Sequence, residues 1–176
     1  MSQRSENGIV LIGFMGTGKT TVGRELAALT GLPFVDLDLE ISRQQGMAIP
    51  EIFAVEGEEG FRKHESAALR RLADIPPCVL ATGGGIVTCE ENWPLLHRLG
   101  RIVYLRTRWA TLQARLADPT GRPLADGRDW SEVKSLWEGR LCMYERADLA
   151  IDTDGMSPSA VAEAIHRELV TGGTDV

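Results

Sequence analysis

Short, continuously apolar runs alternate along the whole chain with longer stretches in which apolar residues recur every three or four positions. The runs at Ile9–Ile12, Phe34–Asp36, Cys78–Ala81, Ile102–Leu105 and Leu149–Ile151 read as strands. Each is too brief and too apolar to leave one face in water, which is the pattern of parallel strands covered on both sides. Between them the period lengthens. Lys19–Leu29 brings Val22, Leu26 and Leu29 to one face and stops at the glycine and proline of "GLP". Glu58–Ala73 lines up Phe61, Ala68 and Leu72 and ends before "DIPP". Leu39–Gln45, Trp93–Leu99 and Thr111–Leu116 read as shorter helices; Ser131–Glu145 and Ser157–Val170 complete the set, with Ser131 and Ser157 placed as N-caps. Such alternation predicts β-α-β units around a mostly parallel sheet of five strands, a single α/β domain over residues 1–176.

Two kinds of segment break the pattern. "ADPTGRPLADGRD", residues 117–129, is rich in Gly, Pro and Asp and has little to bury; a loop of that length in a compact domain reads as a lid or as a disordered segment. The other kind is glycine-rich and follows a strand. In "GFMGTGKTTVG", Gly13-x-x-x-x-Gly18-Lys19-Thr20 matches the phosphate-binding P-loop. Glycines let successive N–H groups turn inward on phosphate oxygens, and the helix that follows adds its positive end. Lys19 can then reach the β- and γ-phosphates, and the Thr20 hydroxyl can ligate Mg²⁺. Gly13, Met15, Gly16, Thr17, Gly18, Lys19, Thr20 and Thr21 are the candidate nucleotide-binding residues of this loop. "ATGGGIV" puts Gly83, Gly84 and Gly85 after the third strand, a second stretch of backbone open to a ligand.

Further P-loop signatures narrow the choice. The guanine-specifying Asn-Lys-x-Asp is absent, and neither the third nor the fourth strand ends in the aspartate that motor and transporter ATPases use around Mg²⁺. The strand that ends in carboxylate is the second, in "PFVDLDLE". Asp36 can hold magnesium and Asp38 can hydrogen-bond or deprotonate an acceptor hydroxyl; equally, both can be capping acids for the helix that follows.

Composition removes several function classes. With 43% hydrophobic and 25% charged residues the chain is neither disordered nor fibrous. A net charge of −6 argues against nucleic-acid or membrane-surface partners, so any anionic ligand has to be met by arginines gathered locally. Cys78, Cys89 and Cys142 are widely spaced and odd in number, which suggests neither a disulfide framework nor a zinc site, and fits a reducing cytoplasm. "MSQRSENG" lacks a signal-peptide core, and Ile9–Ile12 is far short of a membrane span. A monomer is expected, since no coiled coil or long unpaired apolar strand is visible.

The P-loop, Asp36-x-Asp38, "GEEGFRKHE" from Gly57, the triple glycine, "GRPL" from Gly121 and "RLCMYERAD" from Arg140 occur in one order over most of the chain. Together they resemble the shikimate kinase family. The resemblance implies a three-layer P-loop kinase fold with strand order 2-3-1-4-5. It also implies ATP- and Mg²⁺-dependent phosphorylation of the 3-hydroxyl of shikimate, on the route to chorismate and aromatic amino acids. By position, Thr20 and Asp36 lie at the metal, Asp38 binds a substrate hydroxyl, and Arg62 and Arg140 clamp the substrate carboxylate beside the backbone of Gly83, Gly84 and Gly85. Lys19, Asp38 and Arg122 are the catalytic candidates, with Arg122 the lid arginine that swings onto the phosphates and Arg115 set against adenine.

Planar guanidinium groups suit a carboxylate on a small polyol, which supports Arg62 and Arg140 independently. Phe53 and Phe61 can form a wall against the ring of the substrate or belong to the core. The chain departs from the family at Cys142 and Met143, where proline and leucine commonly precede the last tyrosine; Pro158 approximates the residue beside adenine. Two rival readings share the P-loop. Another small-molecule kinase, such as one acting on gluconate, would not require Arg62, the triple glycine and Arg140 together. A regulatory module that holds ATP without transferring phosphate predicts lost acceptor groups, and none is lost.

Overall fold

The computed structural model describes residues 8–117 and 129–171. Strand β1 (Gly8–Ile12) is fully buried, and its alternation builds both layers around it: Ile9 and Leu11 point to one face of the sheet, Val10 and Ile12 to the other. It is flanked by β3 (Val79–Ala81) and β4 (Gly100–Arg106), with β2 (Phe34–Asp36) and β5 (Leu149–Asp152) at the edges, all pairs parallel in the order 2-3-1-4-5. Helices α1 (Lys19–Thr30) and α7 (Pro158–Thr171) cover the first face through Val22, Leu26, Val161 and Ile165. On the other face α2 (Leu37–Gln45), α3 (Ile49–Leu72), α4 (Asn92–Leu99), α5 (Trp109–Ala117) and α6 (Trp130–Tyr144) bury a larger core that includes Ile41, Leu69, Leu96, Leu112 and Tyr144. Phosphate-loop, carboxylate and triple-glycine segments therefore all leave the sheet at its carboxyl edge, where parallel α/β sheets bind ligands.

The structure corrects several local expectations. Strands β2 and β5 are half-buried rather than covered on both sides, because as edges they lack a neighbour. Helix α3 starts at Ile49, well before Glu58: Pro50 opens its first turn, the Glu51 carboxylate accepts a hydrogen bond from the Ala48 N–H at 2.8 Å, and a kink at Gly57 (φ 69°, ψ −174°) joins this turn to the expected helix. The N-cap of α6 is Asp129, whose side chain accepts from the Ser131 N–H at 3.0 Å, so Ser131 lies inside the helix. Ser157 does cap, accepting from the Ala160 N–H at 3.2 Å. All three cysteines are free, and among the described residues no helix is long and apolar enough to cross a membrane. Most of the segment 117–129, including Arg122, lies outside the described residues.

One buried polar link positions the later site. Asn92, at the start of α4 and fully buried, accepts from the Ser66 hydroxyl of α3 at 2.7 Å and donates to the Ile86 carbonyl, next to Gly85, at 3.0 Å. It pegs the helix that carries Arg62 to the triple-glycine turn. Asn92→Ala strands two buried polar groups, so a loss of about 3 kcal/mol in urea-denaturation stability is expected, and an unchanged midpoint would refute the peg.

Candidate active site

The P-loop wraps the end of β1. Gly16 and Gly18 take φ of 81° and 92°, the left-handed region that costs glycine nothing, and this turns the chain into α1. Lys19 is nine-tenths buried, its Nζ donating to the carbonyls of Gly13 at 2.7 Å and Phe14 at 2.9 Å, while the Thr17 hydroxyl also donates to Phe14 at 2.9 Å. The ammonium is thus folded over the loop that would cradle the phosphates. Met15 is half-buried and Thr21 exposed. Leu112 and Leu116 of α5 pack on Gly16, and Arg115 of the same helix donates to the Gly16 carbonyl at 3.0 Å, which places its guanidinium on the rim of the loop.

Beside the loop, the Thr20 hydroxyl donates to Asp36 Oδ2 at 2.8 Å, and Asp36 Oδ1 accepts from the N–H groups of Asp38 and Leu39 at 3.1 and 3.3 Å. Asp36 is therefore the cap of α2 and a partner of the P-loop at once, whereas Asp38 sits inside the first turn of α2 and is not a cap. A hydroxyl and one carboxylate side by side are hard oxygen donors of the kind Mg²⁺ accepts while keeping waters and phosphate oxygens for its other positions. Among the described residues no three His, Cys, Asp or Glu gather.

Each glycine of the triple makes room for a different neighbour. A Cβ on Gly83 would lie 2.8 Å from Glu65 Oε1 and 3.2 Å from Asp38 Oδ1; on Gly84, 3.2 Å from the Met15 nitrogen; on Gly85, 2.1 Å from Arg62 Nη2. The turn thus brings the second-strand carboxylate, the P-loop and the α3 arginine against one another. Arg62 donates to Glu65 at 2.6 Å and to Glu58 at 3.0 Å. Glu65 is fully buried, and burial pushes its carboxyl up to about 7, against the pull of Arg62 and with Asp38 adding to the rise.

Arg140 of α6 is 8% exposed and lies over the ring of Phe14 in the P-loop at 5.9 Å, near enough for its charge to act on Glu65. The Nε atoms of Arg62 and Arg140 and Glu65 Oε1 are buried without a hydrogen-bond partner. Unpaired buried polar atoms are rare in folded proteins, and three around one space mark a place built for a polar, anionic guest. Phe61 is core, its ring tilted by 31° against that of Phe53 with centroids 4.5 Å apart, and Phe53 is 37% exposed. Pro158 is exposed at the start of α7.

Three residues of the site escaped sequence reasoning. Glu65 carried a usable signal, three positions after Arg62 on one helix face. Tyr144, whose hydroxyl donates to the Gly84 carbonyl at 2.6 Å, lies inside the last motif, but neither its partner nor that of Asn92 could be read, because those partners are 60 and 26 residues away.

A family model described as shikimate kinase matches residues 15–170. The shikimate kinase of Moorella thermoacetica is 45% identical over 161 residues, covering 92% of this chain and 93% of that protein. That of Thioalkalivibrio sulfidiphilus is 45% identical over 169 residues, covering 95% and 88% respectively. A solved shikimate kinase from Acinetobacter baumannii, in complex with shikimate, superposes with a TM-score of 0.90 at 36% identity, covering 98% of this chain and 97% of that one. By the family model, by relatives 45% identical over nearly all of both chains and by this superposition, the chain belongs to the shikimate kinase family.

Proposed function

We propose that the protein transfers the γ-phosphoryl group of ATP to the 3-hydroxyl of shikimate, giving shikimate 3-phosphate and ADP on the route to chorismate. The observation that carries the reading is the pair of buried guanidinium groups, Arg62 and Arg140, with unsatisfied Nε atoms beside the P-loop. A carboxylate seated between them would satisfy both by charge-assisted hydrogen bonds and set the ring's hydroxyls toward Asp38. Backbone N–H groups of Gly83, Gly84 and Gly85 complete that subsite.

Phosphoryl transfer through a loose transition state asks the protein for positioning and for neutralisation of spreading charge more than for bond-making. Gly13, Met15, Gly16, Thr17, Gly18 and Thr21 present the phosphate cradle. Lys19 exchanges its Gly13 and Phe14 carbonyls for phosphate oxygens and follows the charge as it moves. Asp38 orients the acceptor hydroxyl first and takes its proton as the bond to phosphorus forms. Arg115, on the rim of the P-loop, takes the adenine side of the nucleotide, and Pro158 is the candidate neighbour of the base. Arg122 closes over the phosphates and excludes water, which restrains hydrolysis. Thr20 and Asp36 would be the protein's oxygen donors for Mg²⁺, which would supply charge neutralisation at the transferring phosphate. A cytoplasmic monomer without nucleic-acid partners fits the net charge of −6.

Coupled ADP release with ATP and Mg²⁺ tests the reaction, comparing shikimate, gluconate and no acceptor, with Lys19→Met as the blank. Turnover is expected with shikimate alone and should vanish in the blank; turnover with gluconate, or none with any acceptor, sinks the reading.

Arg62→Lys and Arg140→Lys should each raise KM for shikimate about tenfold to a hundredfold, the worth of one bidentate charged contact. KM for ATP should stay within about twofold, and a shift in the ATP constant instead would count against the clamp.

Glu65 adds a pH dependence. Its pKa is raised in the fold, to about 7 against an ordinary 4.5, so the folded state binds the extra proton. Its contribution to stability is complete below the ordinary carboxylate range and is lost as pH rises through about 7. The ionised carboxylate also competes with substrate for Arg62, so KM for shikimate should rise over the same interval. Thermal melts and KM at pH 5 to 8 should show both trends in the wild type, flattened in Glu65→Gln; parallel curves for the two proteins would contradict this.

A further inference from the structure

Tyr144 closes α6 and is fully buried, its ring stacked on Tyr104 of β4 with centroids 5.1 Å apart and planes 20° from parallel. Its hydroxyl does not end in the core. It donates to the Gly84 carbonyl at 2.6 Å, and Gly84 is the member of the triple that rests on the P-loop, where an added Cβ would lie 3.2 Å from the Met15 nitrogen and 3.5 Å from the Gly13 carbonyl. One helical turn earlier in α6 stands Arg140, over Phe14 of the same loop. A single phenol therefore touches the acceptor turn and, through Gly84, bears on the nucleotide loop.

We infer that Tyr144 is a positioning residue for phosphoryl transfer, its hydroxyl on the Gly84 carbonyl holding the acceptor turn in register with the P-loop and so setting the gap between acceptor oxygen and γ-phosphate. This rests on the reaction proposed above. Burial keeps the phenol neutral, well above its ordinary pKa, so it remains a donor throughout the working pH range. Tightness of either substrate alone does not depend on that register; in-line transfer does, because a displacement of about 1 Å between reacting groups costs on the order of a hundredfold in rate.

The test is Tyr144→Phe, which keeps the stacked ring and deletes the donor, assayed beside the wild type and beside Tyr104→Phe, which deletes the hydroxyl of the other ring in the stack. Expected is a fall of ten- to a hundredfold in kcat for shikimate phosphorylation, with both KM values within about threefold and slow acceptor-free ATP hydrolysis unchanged. Tyr104→Phe should keep the wild-type kcat. Gly84→Ala, which keeps the phenol but presses a Cβ to 3.2 Å from the Met15 nitrogen, should lower kcat at least tenfold with KM for ATP within about threefold, and serves if Tyr144→Phe does not fold; an unchanged kcat there counts against the inference. Wild-type turnover with an unchanged kcat in Tyr144→Phe, or an equal loss in both tyrosine variants, overturns the inference alone. Absence of shikimate turnover in the wild type overturns the proposed reaction, and this inference with it.

Discussion

Three positions without side chains govern the carboxyl edge of the sheet. The Arg62 guanidinium occupies the space a Cβ on Gly85 would need, Glu65 and Asp38 crowd the same point on Gly83, and the P-loop backbone crowds Gly84. Because the sheet is parallel and β3 pairs directly with β1, the turn after β3 and the loop after β1 emerge side by side. Backbone can then pack on backbone, with Arg62 held against the turn. A side chain at Gly84 would press on the P-loop backbone, and one at Gly83 or Gly85 would displace Glu65 or Arg62.

Charge is arranged around the same turn with little margin. Glu65 neutralises Arg62 at 2.6 Å, yet it is wholly buried and retains an unpaired oxygen. A buried ion pair of this kind stabilises weakly, since desolvation offsets most of the attraction. What it does is hold the guanidinium in one place, together with Glu58, while leaving its Nε for a guest. In a protein of net charge −6, an anion is drawn in by this local arrangement and not by the field of the whole molecule.

Asp36 shows how one residue can satisfy two readings that looked like rivals. With Oδ1 it caps α2, and with Oδ2 it accepts from Thr20 of the P-loop. The cap orients the carboxylate toward Thr20 and delivers Asp38 two residues further on, against Gly83. Local helix chemistry thereby sets the geometry of the prospective metal site.

Much of this was legible in the sequence because its causes are local. Strand and helix positions follow from apolar period, the P-loop from glycine spacing ahead of a helix, and Arg62 and Arg140 from motifs whose order along the chain is itself informative. Helix ends were misjudged where a capping group lay one or two residues outside the apolar stripe, as at Asp129, or where a glycine kink joined two helices, as at Gly57. Glu65 as an ion-pair partner, Asn92 as a peg and Tyr144 as a brace belong to tertiary structure alone. Hydrophobic pattern and glycine placement determine which elements form and which edge binds phosphate, since those depend on residues within a turn of one another. Which buried polar group meets which partner is decided only when parallel pairing brings segments 26 or 60 residues apart to within 3 Å.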